Sequence, residues 1–462
     1  MPRLMITRMR FIVGFVLALV LIAGGVWIVA GRMSGPAIDI RQPAKVLGAN
    51  GTLEVAIDAP RGELSRLEIA VEQKEKRIVV AALTGTEATI TQDGPDRIRI
   101  QRTLNRSSVP GLQSGPARIV VIAARPVVYG IRTVESSATR DVNVRLEPPR
   151  ASVISTHHYV NHGGAELVVY RVNPPDVSSG VRVGDVEYPG YPASGAGALA
   201  GKAIGDPAVH VAFFALLHDQ ELKTPIHVFA RDEAGNAARA DFDHRVFPKP
   251  FRRSRIELDD SFIGRVVPAI LERTPDLKAE GDDLAKFLTI NRDLRRQNAE
   301  TIATLGSQTA KEALWTGTFQ QLGNSKVESA FADHRTYFYQ GREVDQQVHL
   351  GFDLAVTANV PIVAANRGRV VFADYLGIYG NCVIVDHGMG IQTLYAHLSS
   401  FETAAGQTVE NGQTLGRSGM TGLAGGDHLH FTQLVQGRAV NPVEWWDAHW
   451  LEDRVLRKLR GL

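Results

Sequence analysis

The strongest constraint on this chain is a run of 20 uncharged, mostly apolar residues at positions 11–30. At about 1.5 Å rise per residue, a helix of that length crosses a hydrocarbon layer of roughly 30 Å. Arg3, Arg8 and Arg10 precede the run, and after Arg32 no Lys or Arg appears until Arg41. That asymmetry predicts a cytoplasmic N-terminus and an exported remainder. The alternative is a cleaved signal peptide, whose apolar region is usually about 7–15 residues followed by a small-x-small site. Ile28-Val29-Ala30 matches such a site poorly. The expectation is therefore an uncleaved single-pass anchor in the inner (cytoplasmic) membrane, with the bulk in the periplasm or an equivalent extracytoplasmic space. Both readings export the remainder.

With 462 residues the chain has room for about three domains. An apolar fraction of 44% and a charged fraction of 22% exclude a wholly disordered chain and a polytopic membrane protein. Lys plus Arg (51) nearly balance Asp plus Glu (49), and no nucleic-acid-binding motif is present. No nucleic acid partner is expected. Cys382 is the one cysteine, which excludes an intramolecular disulfide and thiolate zinc clusters. Any metal must be held by His, Asp or Glu.

The pattern of the exported part predicts a multidomain, mainly β chain. Residues 1–35 are the cytoplasmic stub and anchor. Short apolar or alternating runs at 53–57, 118–122, 142–146, 166–170, 210–214 and 226–230, separated by turn-forming residues, predict two β-sandwiches. A Pro148-Pro149 break divides them into 36–147 and 148–247. Residues 227–236 resemble the last strand and turn of bacterial immunoglobulin-like modules. These domains are expected to act as spacers or as docking surfaces for envelope proteins. Residues 248–313 read as a helical linker, with helices near 260–273 and 282–305 and Asp282 as an N-cap. Pro268 is expected to kink the first helix or end it early. The Arg-rich 292–297 stretch reads as a solvated helix face. Residues 314–446 return to short strands and predict a compact antiparallel β domain, followed by an amphipathic tail at 447–462.

Seven of the 14 histidines lie between His334 and His449. In His349-Leu350-Gly351-Phe352-Asp353, an extended strand would turn His349, Gly351 and Asp353 to one face. Gly351 would leave room for an ion between the outer two. In His428-Leu429-His430-Phe431, both histidines share a face while Leu429 and Phe431 enter the core. Two imidazoles and one carboxylate suit Zn²⁺ and leave a fourth position open for water. Such a donor set does not by itself exclude other divalent ions.

Together with Tyr395-Ala396-His397-Leu398 between them, these motifs resemble the three signatures of the M23 metallopeptidases, the lysostaphin- and LytM-type peptidoglycan endopeptidases. Residues 357–371, 380–388 and 406–419 resemble the family's connecting phrases, so the likeness covers about 325–446. It implies one zinc ion held by His349, Asp353 and His430, with His397 and His428 as the catalytic pair. It implies hydrolysis of peptidoglycan cross-links, with stem peptides as substrate. Which histidine takes the proton and which steadies the oxyanion stays open. Some family members lack ligands and only activate other wall hydrolases, which is the rival reading. Here all five positions are filled. Asp427 stands where the family often has Pro, and Thr432 where it often has Glu; both bear on how the ligands are oriented.

Other residues read as structure. His387 suits a turn, Cys382 an inert core, and Trp445, Trp446 and Trp450 packing at the domain's end. His334-Arg335 and Tyr337-Phe338-Tyr339 are either a loop over the groove or aromatic packing. His157, His158 and His162 form a cluster without an adjacent ligand pattern.

Overall fold

The computed structural model describes the backbone of residues 2–31, 33–128 and 130–462, and the side chains of 13–28, 33–128 and 130–462. The chain divides into two compact units, residues 1–148 with 232–236, and residues 149–231 with 237–462. A helix runs Pro2–Gly31 over the expected anchor, and its side chains at 13–28 are exposed. The anchor's ends, 11–12 and 29–30, lie outside the described side chains. Among the described residues no helix is long and apolar enough to cross a membrane.

In the first unit, a four-stranded sheet (Ala37–Gln42, Gly51–Asp58, Arg97–Leu104, Thr89–Gln92) faces a five-stranded one. The second sheet is built from Val46–Leu47, Arg132–Val144, Gly115–Val127, Arg66–Gln73 and Lys76–Ala82. Period-2 alternation sends Leu53, Val55 and Ile57 of one sheet, and Ile119 and Val121 of the other, into one core.

The second unit begins with another pair of four-stranded sheets, around Ala165–Asn173 with Val209–Ala215 and around Ser178–Val183 with Ile226–Arg231. The strand Val209–Ala215 is buried along its whole length. A strand covered on both faces must be packed on by something beyond its own sandwich, and here that is the C-terminal region. The Phe213 ring lies 5.8 Å from Trp445, and Trp445 lies 5.8 Å from Trp315. Residues of both regions share one apolar core. Side chains of this size, once buried, each contribute on the order of 2–3 kcal/mol. Two buried polar links cross the same boundary. Lys458 Nζ meets Glu166 Oε1 at 2.8 Å, and Glu444 accepts from Ala165 N and Asn161 Nδ2, each at 2.7 Å.

The C-terminal region holds an eight-stranded sheet in the order Lys326–Ser329, Phe352–Ala355, His428–Val435, Ile391–Leu398, Asn381–Gly388, Gly368–Tyr375, Thr408–Val409. Arg438–Val440 pairs with His428–Val435 as the eighth strand. All these pairings are antiparallel. A second sheet departs from the purely antiparallel expectation. Arg253–Leu258, inside the stretch read as a helical linker, runs parallel to Asp333–Tyr339, which in turn pairs with Arg342–His349. The aromatic run 337–339 is therefore strand, and Tyr337 packs at 6.2 Å from Phe287.

The first helix, Asp260–Arg273, is capped by Asp259, whose side chain accepts from Phe262 N at 2.7 Å. Contrary to the expectation of an early end, it continues through Pro268. Pro268 and Gly264, the residue whose carbonyl it leaves unpaired, both face solvent, where water can take the freed acceptor. Asp282 caps the next helix, Asp283–Thr289, accepting from Ala285 N at 2.8 Å. A π-turn, Ile290–Leu294, joins it to Arg295–Gly306. The 292–297 stretch is not a simple solvated face, because Arg292 pairs with the buried Asp345 at 2.9 Å.

Candidate metal centre

The two ligand motifs meet through strand register. Asp353 lies directly opposite His430 across the antiparallel pair, and Ala396 lies opposite His430 on its other side. His349 and Asp353 do not share one extended strand as the sequence suggested. Arg342–His349 ends at His349, and Phe352–Ala355 belongs to the other sheet. The chain bends at Leu350-Gly351, and a side chain at Gly351 would put a Cβ 2.6 Å from His430 Nε2 and 2.7 Å from Phe431 O. The glycine thus makes room for the His430 ring itself. On the strand His428–Val435, Leu429 and Phe431 are buried in the core opposite the two histidines.

Three ligand atoms converge. His349 Nε2 is 2.9 Å from Asp353 Oδ1 and 2.9 Å from His430 Nδ1, which is 3.1 Å from the same carboxylate oxygen. Hydrogen bonds on the far sides fix what these atoms carry. His349 Nδ1 donates to Ala330 O at 3.3 Å, leaving a lone pair on Nε2. Thr432 Oγ1 donates to Leu350 O at 3.1 Å and so accepts from His430 Nε2 at 3.0 Å, leaving a lone pair on Nδ1. Arg335 Nη2 holds Asp353 Oδ2 at 2.8 Å and turns Oδ1 inward. With both imidazoles neutral, three lone pairs face one another and repel unless a cation lies between. Three donors at about 2.0–2.2 Å from a tetrahedral zinc stand roughly 3.3–3.5 Å apart, a few tenths more than observed. The donor set fits such an ion. Among the described residues this is the one group of His, Cys, Asp or Glu so placed, and the His157, His158 and His162 cluster is not.

His397 and His428 stand beside this group, ring centroids 4.8 Å apart. His397 Nδ1 donates to Thr421 O at 2.7 Å and His428 Nδ1 to Gly426 O at 2.8 Å. Both therefore direct Nε2 away from those carbonyls, and that of His428 lies 3.4 Å from Asp353 Oδ1. His397 has φ of 62°, a left-handed conformation uncommon for a residue with a Cβ. Burial, helped by His428 and His430, holds its pKa well below the usual imidazole value. Burial also opposes a charge on His428, but the Asp353 carboxylate outweighs it and raises the pKa. Burial alone would raise Asp353; the surrounding imidazoles instead hold its carboxyl well below the usual range.

These residues line a cavity of about 570 Å³. Its far wall comes from the helical segment, including Phe262, Arg265, Phe287 and Arg295. Tyr379 also lines it, its ring 5.4 Å from His430. The sequence reading missed these five. The helix residues carry no local motif, and Tyr379 reads as one aromatic in a Gly-rich turn. Of the remaining histidines, His387, read from the sequence as a turn residue, is buried in the strand Asn381–Gly388, hydrogen-bonded to Arg367 O and Thr393 Oγ1, and outside the cavity lining.

The family model of peptidase family M23 matches residues 347–442. The chain carries an M23 peptidase domain. Within the curated relatives, the DD-carboxypeptidase/endopeptidase Mpg of Neisseria meningitidis is 41% identical over 97 residues, 21% of this chain and 22% of Mpg. The murein hydrolase activator EnvC of Escherichia coli is 36% identical over 95 residues, 21% of this chain and 23% of EnvC. The similarity thus spans under a quarter of either relative. A solved structure of a putative peptidase M23 from Pseudomonas aeruginosa covers 62% of this chain and 94% of its own, with 19% identity and a TM-score of 0.38. The four site histidines and Asp353 lie within the matched residues 347–442.

Proposed function

We propose that this chain is a membrane-anchored zinc metalloendopeptidase that hydrolyses peptide cross-links of bacterial peptidoglycan outside the cytoplasmic membrane. The observation that carries the reading is the convergence of His349 Nε2, Asp353 Oδ1 and His430 Nδ1 within 2.9–3.1 Å, each presenting a lone pair. An activator that uses the fold only for binding has no need of it. EnvC is named a murein hydrolase activator; in this chain the full set of ligands and their orienting contacts favours the enzyme. The anchor rests on the sequence run at 11–30 and the arginines before it. Residues 36–247 would present surfaces to envelope proteins.

His349, Asp353 and His430 would hold one zinc ion. When bound, such an ion supplies Lewis acidity toward a peptide carbonyl and toward water. Arg335 and Thr432 keep two of the ligands turned inward. His397, kept neutral by burial, accepts the proton of the attacking water at Nε2 and returns it to the leaving amine. His428, whose charge Asp353 favours, donates toward the oxygen on which negative charge develops. The helical wall limits access of bulk water.

The test is mass spectrometry of purified sacculi digested with the protein. Wild type should release products of cross-link cleavage, lose that activity with chelator and regain it with zinc. His430→Ala should release none. Full activity in His430→Ala, or in chelator, refutes the assignment.

A further inference from the structure

The helical wall brings two arginines to the cavity, Arg265 and Arg295, and among the described residues the hydrogen bonds of neither reach a carboxylate. Arg295 lines the cavity together with Tyr379, His430 and Asp353. Its Nε donates to Asn291 O at 3.0 Å and its Nη2 to Asn291 Oδ1 at 2.6 Å. Asn291 is fully buried, and its Nδ2 donates to Asp345 Oδ2 at 2.8 Å. Asn291 sits in the π-turn Ile290–Leu294. Such a turn inserts a residue into the helical repeat, and such irregularities are frequent at functional sites. Here it sends Asn291 inward to Asp345, and Arg295 follows one turn later at the cavity. The chain Asp345, Asn291, Arg295 fixes a guanidinium rather than neutralising it.

Of the other two arginines of the cavity, Arg335 has a carboxylate partner and Arg265 is bound to loop carbonyls. Arg335 is paired with Asp353 at 2.8 Å, and Arg265 Nη2 donates to Ala424 O at 3.0 Å. A guanidinium has five N–H donors and no acceptor. Two of those on Arg295 go to Asn291, so three remain. Among the described residues no carboxylate lies within ion-pair distance of Arg295. A held cation without a counter-charge, beside a centre that acts on peptides, matches a ligand that brings its own anion.

We propose that Arg295 is a specificity-determining residue that binds a carboxylate carried by the peptide substrate, close to the bond presented to the metal centre. This rests on the peptidase reading above. The planar fork of arginine suits a carboxylate bidentately, whereas lysine offers only a point charge. Two carboxylates of a stem peptide share this chemistry, the α-carboxylate of its C-terminus and a side-chain carboxylate along it.

The probes are a synthetic peptide dimer joined through a D-Ala amide linkage, its α-amide form and its side-chain-amide form, assayed on the zinc-loaded full chain. Amidation at the bound position should raise KM on the order of tenfold to a hundredfold, the range of a charge-assisted hydrogen bond, with kcat changed far less. Whichever amide responds identifies the carboxylate. Arg295→Gln should collapse the KM ratio between carboxylate and amide forms toward unity, and Arg295→Lys should restore part of it. No change in KM with either amide, or an equal loss on all three probes in Arg295→Gln, overturns the proposal. If wild type cleaves no probe, the peptidase reading fails separately, and calorimetric titration of the same probes decides for Arg295. Wild type must then prefer a carboxylate form and Arg295→Gln must not; equal affinities overturn the proposal.

Discussion

Thr432 stands where the family often has a glutamate, and its hydroxyl is the far-side partner of His430. The hydroxyl accepts from His430 Nε2 at 3.0 Å and donates to Leu350 O at 3.1 Å. Replacing Thr432 by Val keeps the shape and removes the acceptor. The residue is 3% exposed, so water has little access to take its place. The stranded Nε2–H costs about 1–3 kcal/mol. The imidazole can escape that cost by moving its proton to Nδ1, but Nδ1 is the atom that faces His349 and Asp353. Either route weakens the metal site. Loss of an orienting partner of this kind typically costs 10–100-fold in metal affinity, equivalent to roughly 1.4–2.8 kcal/mol. Zinc affinity measured by competition with a chromophoric chelator should fall by that factor in Thr432→Val, and Thr432→Ser should restore most of it. An unchanged zinc affinity in a folded Thr432→Val protein would refute the claim that this hydroxyl sets the ligand tautomer.

Two further outcomes follow from the same geometry. Gly351→Ala should lower zinc affinity at least as far as Thr432→Val, because its Cβ would lie 2.6 Å from His430 Nε2 and 2.7 Å from Phe431 O; chelator competition measures it. Glu444 is buried, which together with the nearby Glu166 raises its pKa from 4.5 to about 7 despite the bonds from Ala165 and Asn161. A raised folded-state pKa gives stability that is full below pH 4.5 and lost as pH rises through 7, about 3 kcal/mol in all. Thermal melts of wild type from pH 4.5 to 8 should show that decline, and Glu444→Gln should flatten it.

The convergence at the centre was legible because it is written in local spacing. An HxH on a strand must share a face, and the register that sets Asp353 opposite His430 follows once both strands enter one sheet. The detail of the first motif was not legible. The period-2 argument put His349 and Asp353 on one strand, whereas a bend at Leu350-Gly351 divides them between two sheets and still brings their side chains together. The shared core of residues 149–247 and the C-terminal region was hidden for a different reason. A fully buried strand such as Val209–Ala215 looks the same in sequence whatever covers its second face. The strand Arg253–Leu258 alternates charged and uncharged residues over only six positions beside strong helix signals, and its partner lies some eighty residues away. Arg292 and Arg295 read as solvated because charge on a helix usually is. The π-turn that directs them to Asp345 and to the cavity has no sequence signature.

The segment before the M23 domain is better understood as part of the site than as a tether. Asn298 Oδ1 accepts from Ile378 N at 2.9 Å, fixing the turn that carries Tyr379. Arg265 holds Ala424 O, in the loop whose Thr421 and Gly426 carbonyls orient His397 and His428. Arg253–Leu258 supplies a strand beside Asp333–Tyr339, which carries Arg335, the partner of Asp353. A fragment of residues 314–462 loses all of these contacts at once and also uncovers the Trp315 and Trp445 surface that meets Phe213. Burying those rings contributes several kcal/mol, comparable to the net stability of a domain, roughly 5–15 kcal/mol. The fragment should therefore melt well below residues 149–462 and bind zinc more weakly, read by calorimetry and chelator competition on both pieces. Equal melting temperature and equal zinc affinity would mean that the M23 fold stands alone and that the helical wall only rests against it.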